Sequence, residues 1–184
     1  MKEKVSIQQI QQGDKNALGE VFDFYYEKIL KFIYRRTSSQ ETAEDITSEV
    51  FLGAIENIHN FKWKGEGSFK NWIYRIANNK ICDYFRKNYG RETIDIDEVG
   101  EIRDDIQKDP QETLILEEDA EEIRKIMVLL SEKDQNIINL VFFEEMDVKE
   151  IAGILNCSNS SVYTQLHRAL KKLKNLLQNQ DRNL

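Results

Sequence analysis

A chain of 184 residues is long enough to close two modest cores, and with a single Pro, eight Gly and two Cys it suits helices better than hairpins or a disulfide framework. Cys82 and Cys157 lie far apart with no CxxC or His-rich company, so two ordinary thiols in a reducing compartment are expected, with no zinc site. The formal charge of −7 would exclude a nucleic-acid partner only if it were evenly spread, and it is not.

The segment Met1–Gln12 is polar and carries no apolar signal core, so no export signal is expected. Apolar residues then recur at spacings of three and four. Leu18, Val21, Phe22, Tyr25, Ile29, Phe32 and Ile33 predict a helix over about 14–36. Ile46, Val50, Phe51, Ala54, Ile55 and Ile58 predict a second over 40–58, and Phe69, Trp72, Ile73, Ile76, Tyr84 and Phe85 a third over 68–88. Asp14, Ser38 with Glu41 three residues on, and Ser68 after Gly67 are the expected N-caps.

Between the second and third helices, Phe61-Lys62-Trp63-Lys64-Gly65-Glu66-Gly67-Ser68-Phe69 alternates aromatic and basic residues. Aromatic rings can stack on unpaired bases while lysines hold phosphates, a combination that suits single-stranded nucleic acid. Phe69 and Trp72 fit the apolar repeat and read as core, whereas Trp63 falls outside it and is the better stacking candidate. From Lys62 to Arg91 the chain holds eight basic residues against Glu66 and Asp83, a local balance of +6. Such a patch is felt by a partner over about 8 Å at physiological salt, whatever the total charge.

From Glu92 to Glu122 fourteen acidic residues face Arg103 and Lys108, a balance of −12, and the only Pro, Pro110, lies within this stretch. A flexible acidic linker of roughly 26 residues is expected around Asn88–Thr113, able to extend to about 90 Å. Its carboxylates, Asp104, Asp105, Glu117, Glu118 and Asp119 among them, would compete with DNA for the basic surfaces. Beyond it, four further apolar repeats predict a second bundle of four short helices: Ile123–Leu130, Ile137–Phe142, Val148–Leu155 and Val162–Leu177. Ser131, Asp147 with Glu150, and Ser158 are their expected caps. The longest apolar cluster, Ile137–Phe143, is interrupted by Asn139 and too short to span a bilayer, so no membrane insertion is expected.

Within that bundle Glu150–Val162 meets the needs of a helix-turn-helix. Ala152 is small where two helices would cross, Asn156 can take the positive φ of the turn, and Val162 would pack the second helix back on the first. Ser158, Asn159, Ser160, Ser161, Tyr163 and Thr164 then stand at the start of the recognition helix, with His167, Arg168 and Lys171 on later turns of a tail whose balance is +4. No nucleophile with its base, no carboxylate and His metal cluster and no phosphate-cradling Gly loop appears, so neither enzyme, cofactor nor metal is expected.

Ala43–Leu52 followed by Ser68–Lys87 resembles conserved region 2 of bacterial sigma factors of the extracytoplasmic-function (ECF) type, and the helix-turn-helix is similar to their region 4. The resemblance implies an all-α protein of three parts: a region 2-like domain over 1–91, an acidic linker over 92–116 and a region 4-like domain over 117–184. It implies a dissociable, cytoplasmic subunit of RNA polymerase that directs promoter recognition and melting; a free-standing helix-turn-helix regulator is the alternative. Its partners would be core RNA polymerase, through the clamp helices of the largest subunit and the flap, promoter DNA and an anti-sigma protein. Asp45, Ile46, Glu49, Val50 and Phe51 would dock on the polymerase. Lys62, Trp63, Lys64, Ser68, Arg75, Asn79, Lys80, Arg86 and Lys87 would contact the −10 element, and the residues named at the recognition helix the −35 element. Those elements lie roughly 70 Å apart, within the linker's reach.

Three departures from the family pattern stand out. Ser48 replaces the usual Gln, Ser131-Glu132-Lys133 replaces a Pro, and Tyr163-Thr164-Gln165 stands where Lys-Ser-Arg is common, removing two positive charges from the recognition helix.

Overall fold

The computed structural model describes residues 3–89, 127 and 129–180. Among these residues the regular structure is helical throughout, with no strand. Apart from Asn88 and Tyr89, which are helical, the predicted acidic linker lies outside the described residues.

The chain opens with a helix that its polar composition concealed: α1, Glu3–Gln11. Ile7 and Ile10, one turn apart, supply just enough apolar surface to seat it on the bundle, and both are buried. Gly13, at φ 93°, turns the chain, and the Asp14 carboxylate accepts from the N–H groups of Asn16 and Ala17 at 2.9 and 3.1 Å to start α2, Lys15–Thr37. At the far end Ser38 adopts a left-handed conformation, φ 53°, and donates its N–H to the Tyr34 carbonyl. Ser38 therefore ends α2, and the cap of α3, Gln40–Asn57, is Ser39, whose hydroxyl accepts from the Thr42 N–H at 3.3 Å. A 3₁₀ turn, Ile58–Asn60, and an irregular stretch lead into α4, Ser68–Tyr89.

Helices α2, α3 and α4 pack mutually and α1 lies on α2. Their core holds Val21, Tyr25, Ile29, Phe32 and Ile33 from α2, Ala43, Ile46, Val50, Phe51 and Ala54 from α3, and Phe69, Ile73, Tyr74, Ala77 and Ile81 from α4. Edge-to-face rings link the layers, Tyr25 to Phe69 at 5.4 Å and Phe32 to Tyr74 at 5.2 Å between centroids.

Of the second set of repeats, the one over Ile123–Leu130 lies almost wholly outside the described residues. The next splits into α5, Glu132–Ile138, and a π-helical turn, Asn139–Phe143, that leaves Phe142 and Phe143 exposed. Ser131 caps α5, accepting from the Asp134 N–H while donating to the Asp134 carboxylate at 2.7 Å. Short α6, Val148–Leu155, precedes long α7, Asn159–Gln180. By contact, Lys149–Asn156 groups with α1 to α4 as one compact unit, and α5, the π turn and α7 belong to the other.

In that other unit α5 and α7 are clasped at two points. Gln165 donates its amide to the Lys133 carbonyl at 2.8 Å, and the Lys172 ammonium meets the buried Asp134 carboxylate at 2.5 Å. No described helix is long and apolar enough to cross a membrane.

Candidate nucleic-acid interface

The C-terminal end of α3, the 3₁₀ turn and α4 enclose an open cleft of about 500 Å³. Phe61 and Trp72, their ring centroids 5.0 Å apart, give it an aromatic wall. Asn57, Asn60 and Asn79 place amide groups around it, and its charged lining is Lys80 with the carboxylates Glu56 and Asp83. A planar π surface and amides that can both donate and accept suit a single unstacked base. Asn79 and Lys80 are among the residues expected at the −10 element, and Trp72, expected in the core, is half-buried and lines the cleft as well.

From Phe61 the chain runs through Lys62, Trp63 and Lys64, with both lysines exposed and Trp63 half-buried. Gly65 and Gly67 take φ of 128° and 74°, conformations that a side chain resists. Ser68 does not cap α4 from outside. It is the first helical residue, its N–H donates to the Gly65 carbonyl at 3.2 Å, and its hydroxyl accepts from the Lys64 N–H at 3.3 Å, drawing the loop closed. Along α4, Arg75, Asn79 and Lys87 are exposed, while Arg86 is paired with Asp83 one turn earlier. Lys80, half-buried, lies 2.8 Å from Glu49 of α3.

That bond joins two groups the sequence assigned to different partners, Glu49 to a protein and Lys80 to DNA. The rest of the expected docking segment needs correction. Ile46, Val50 and Phe51 are buried, with Phe51 against the rings of Phe22 and Tyr26 at 4.0 and 5.9 Å, because their stripe of α3 is the one that closes the bundle. They offer no surface to a partner. What α3 presents outward is Asp45, Ser48, Glu49, Leu52 and Ile55, and Leu52, 58% exposed, was not among the residues singled out.

At the turn before α7 Asn156 takes φ 55°, as the helix-turn-helix pattern requires. Ser158 caps α7: its hydroxyl accepts from the Ser161 N–H at 3.2 Å and lies within 2.9 Å of the Ser160 and Ser161 hydroxyls. Asn159, Ser160, Tyr163, His167, Arg168 and Lys171 are exposed. Thr164 is not; it is buried and its hydroxyl donates to the Ser160 carbonyl at 3.0 Å, so it is withdrawn from the set of DNA contacts. Within the altered Tyr163-Thr164-Gln165 stretch, Gln165 is engaged with α5, leaving Tyr163 as the member that points outward. Burial pushes the Cys157 thiol pKa up from its ordinary value.

Residues 21–91 match the family model for sigma-70 region 2, and residues 120–173 match sigma-70, region 4. The ECF RNA polymerase sigma factor SigW of Bacillus subtilis is 30% identical over 181 residues, spanning 95% of this chain and 96% of that protein. The chain belongs to the ECF sigma-70 family. Two solved structures have the same fold at low identity. CnrH, in complex with the cytosolic domain of CnrY, superposes with a TM-score of 0.70 at 18% identity over 95% of this chain and 96% of that one. The sigma factor RpoE of Bartonella quintana, in complex with the anti-sigma factor NepR, gives 0.65 at 20% over 87% and 96%. In this sigma factor the cleft and the glycine-bearing loop fall within region 2, the turn at Asn156 and the start of α7 within region 4, and α1 lies upstream of both matches.

Proposed function

We propose that this sigma factor is a dissociable subunit of RNA polymerase, whose first domain, residues 1–91, binds the polymerase and the −10 element, and whose last, 117–184, reads the −35 element. The single observation that carries the residue assignment is the cleft. Phe61 and Trp72 offer a stacking face and the three asparagines can read the edge of one flipped base of the melted −10 strand, while the exposed Lys62, Lys64, Arg75 and Lys87 supply cations for the phosphates of that strand. Asp45, Glu49, Leu52 and Ile55 form the surface for the clamp of the polymerase, acidic groups beside apolar area. Asn159, Ser160, Tyr163, His167, Arg168 and Lys171 enter the major groove at −35. Residues 92–116 tether the two domains. The protein acts by placing the polymerase and holding one DNA strand open, with no chemistry of its own. Because the RpoE structure holds an anti-sigma factor, an anti-sigma protein is proposed as a further partner of this chain.

Run-off transcription with purified core polymerase tests the reading. The chain is expected to bind the core enzyme and to direct a transcript from one promoter out of a mixed set. No selective transcript, together with tight duplex binding by the free chain, would favour a free-standing regulator instead.

A further inference from the structure

Gln11 is the last residue of α1 and lies ten residues before the stretch that matches region 2. Its side-chain nitrogen donates to the carbonyl of Ile58 at 2.8 Å and to that of Phe61 at 2.9 Å. One amide thereby spans the 3₁₀ turn, from its first residue to the residue where the chain leaves it in extended conformation, φ −68° and ψ 130°. The Ile58 carbonyl is also held by the turn's own bond from the Phe61 N–H, at 3.1 Å. The Phe61 carbonyl sits beyond the last helical bond, where a C=O otherwise turns to water and its peptide rocks.

The anchor itself is firm. Ile7 and Ile10 are buried, and α1 is closed off by bonds from the N–H groups of Gly13 to the Ile10 carbonyl and Asp14 to the Gln9 carbonyl. What the clasp controls is equally specific. Asn60 and Phe61 line the cleft, the Phe61 ring leans on Trp72 and Phe69, and Lys62, Trp63 and Lys64 leave from that point.

We propose that Gln11 is a positioning residue for the strand-reading site: it fixes the peptide of Phe61, and with it the aromatic wall and the exit direction of the basic loop, before DNA arrives. Gln11 touches no base. Its effect comes from ordering the site in advance, so that less conformational freedom is lost when the strand binds. The inference rests on the reading of the cleft as a base site and assigns a residue outside the matched region to it.

The test uses full-length chain in holoenzyme and a promoter library randomised separately across the −10 and −35 windows, transcribed in vitro and sequenced. Gln11→Met keeps length without donors, and Gln11→Glu sets an anion against two carbonyls. Met is expected to reduce the enrichment of the preferred base at one −10 position about 10-fold, about 1.4 kcal/mol, and Glu more. Enrichment at −35, affinity for core polymerase and melting temperature should stay near wild type. Unchanged −10 enrichment overturns the proposal, as does a parallel fall in −10 enrichment, −35 enrichment and melting temperature, which marks plain destabilisation. If the wild-type protein selects at −35 but shows no −10 preference, the cleft reading itself fails and the role of Gln11 with it.

Discussion

Replacing Phe51 and Leu52 in turn separates core from docking surface on neighbouring residues of α3. Phe51 is 3% exposed and lies against Phe22 and Tyr26, whereas Leu52 is 58% exposed. Phe51→Ala removes a full aromatic side chain from a packed interior and should cost about 3–5 kcal/mol, lowering the melting temperature of a domain this size by roughly 12 °C or more. Leu52→Ala should leave the melt nearly unchanged. Its side chain becomes buried only on docking, so its loss should weaken core polymerase binding by about 1–2 kcal/mol, roughly five- to thirty-fold. Thermal melts by circular dichroism, paired with a fluorescence titration of core enzyme, read both quantities. Weaker binding by Phe51→Ala with an unshifted melt, and wild-type binding by Leu52→Ala, would refute the argument and return the docking face to the apolar stripe.

Asn156→Val forces a β-branched residue into φ 55° and is expected to cost about 1–3 kcal/mol, seen as a lower melting temperature, while Asn156→Gly should be tolerated. Gly65→Val meets the same objection at φ 128° with open space around the site, so −10 selectivity should fall more than stability, in the library assay described above. With its thiol pushed up by burial, Cys157 carries less thiolate near pH 8 than an ordinary cysteine, and iodoacetamide should modify exposed Cys82 first, as peptide mass mapping would record.

The helices of region 2 were legible because three- and four-residue spacing over long stretches has few alternative explanations; α2, α3 and α4 run almost as predicted. Assigning Ile46, Val50 and Phe51 to a partner failed because the segment was read as a block rather than by face. Residues 46, 50 and 54 share one stripe that the bundle needs, and Leu52 with Ile55 one turn on were the visible sign of the other face. Helix α1 escaped notice because two isoleucines in a polar string are a weak signal until a groove exists to receive them. Ser39, not Ser38, caps α3, a one-residue shift that depends on which serine can turn left-handed behind α2. The bonds from Gln11 reach 47 and 50 residues along the chain, and no local pattern announces such a partner. In region 4 the turn at Asn156 was readable from one residue's tolerance of positive φ, but Thr164 was misplaced because a hydroxyl that bonds its own helix looks, in sequence, like one that faces DNA.

The clasp between Lys172 and Asp134 alters how the basic tail should be counted against DNA. Affinity for a duplex falls with salt in proportion to the phosphates neutralised, each contributing a slope of about 0.9 in the logarithmic plot. A lysine already seated on a buried carboxylate releases few counterions, so the charge total of α7 overstates its electrostatic pull. Lys171→Ala should flatten the salt dependence of −35 binding by nearly one unit. Lys172→Ala should leave the slope almost intact and appear instead as a loosened junction between α5 and α7.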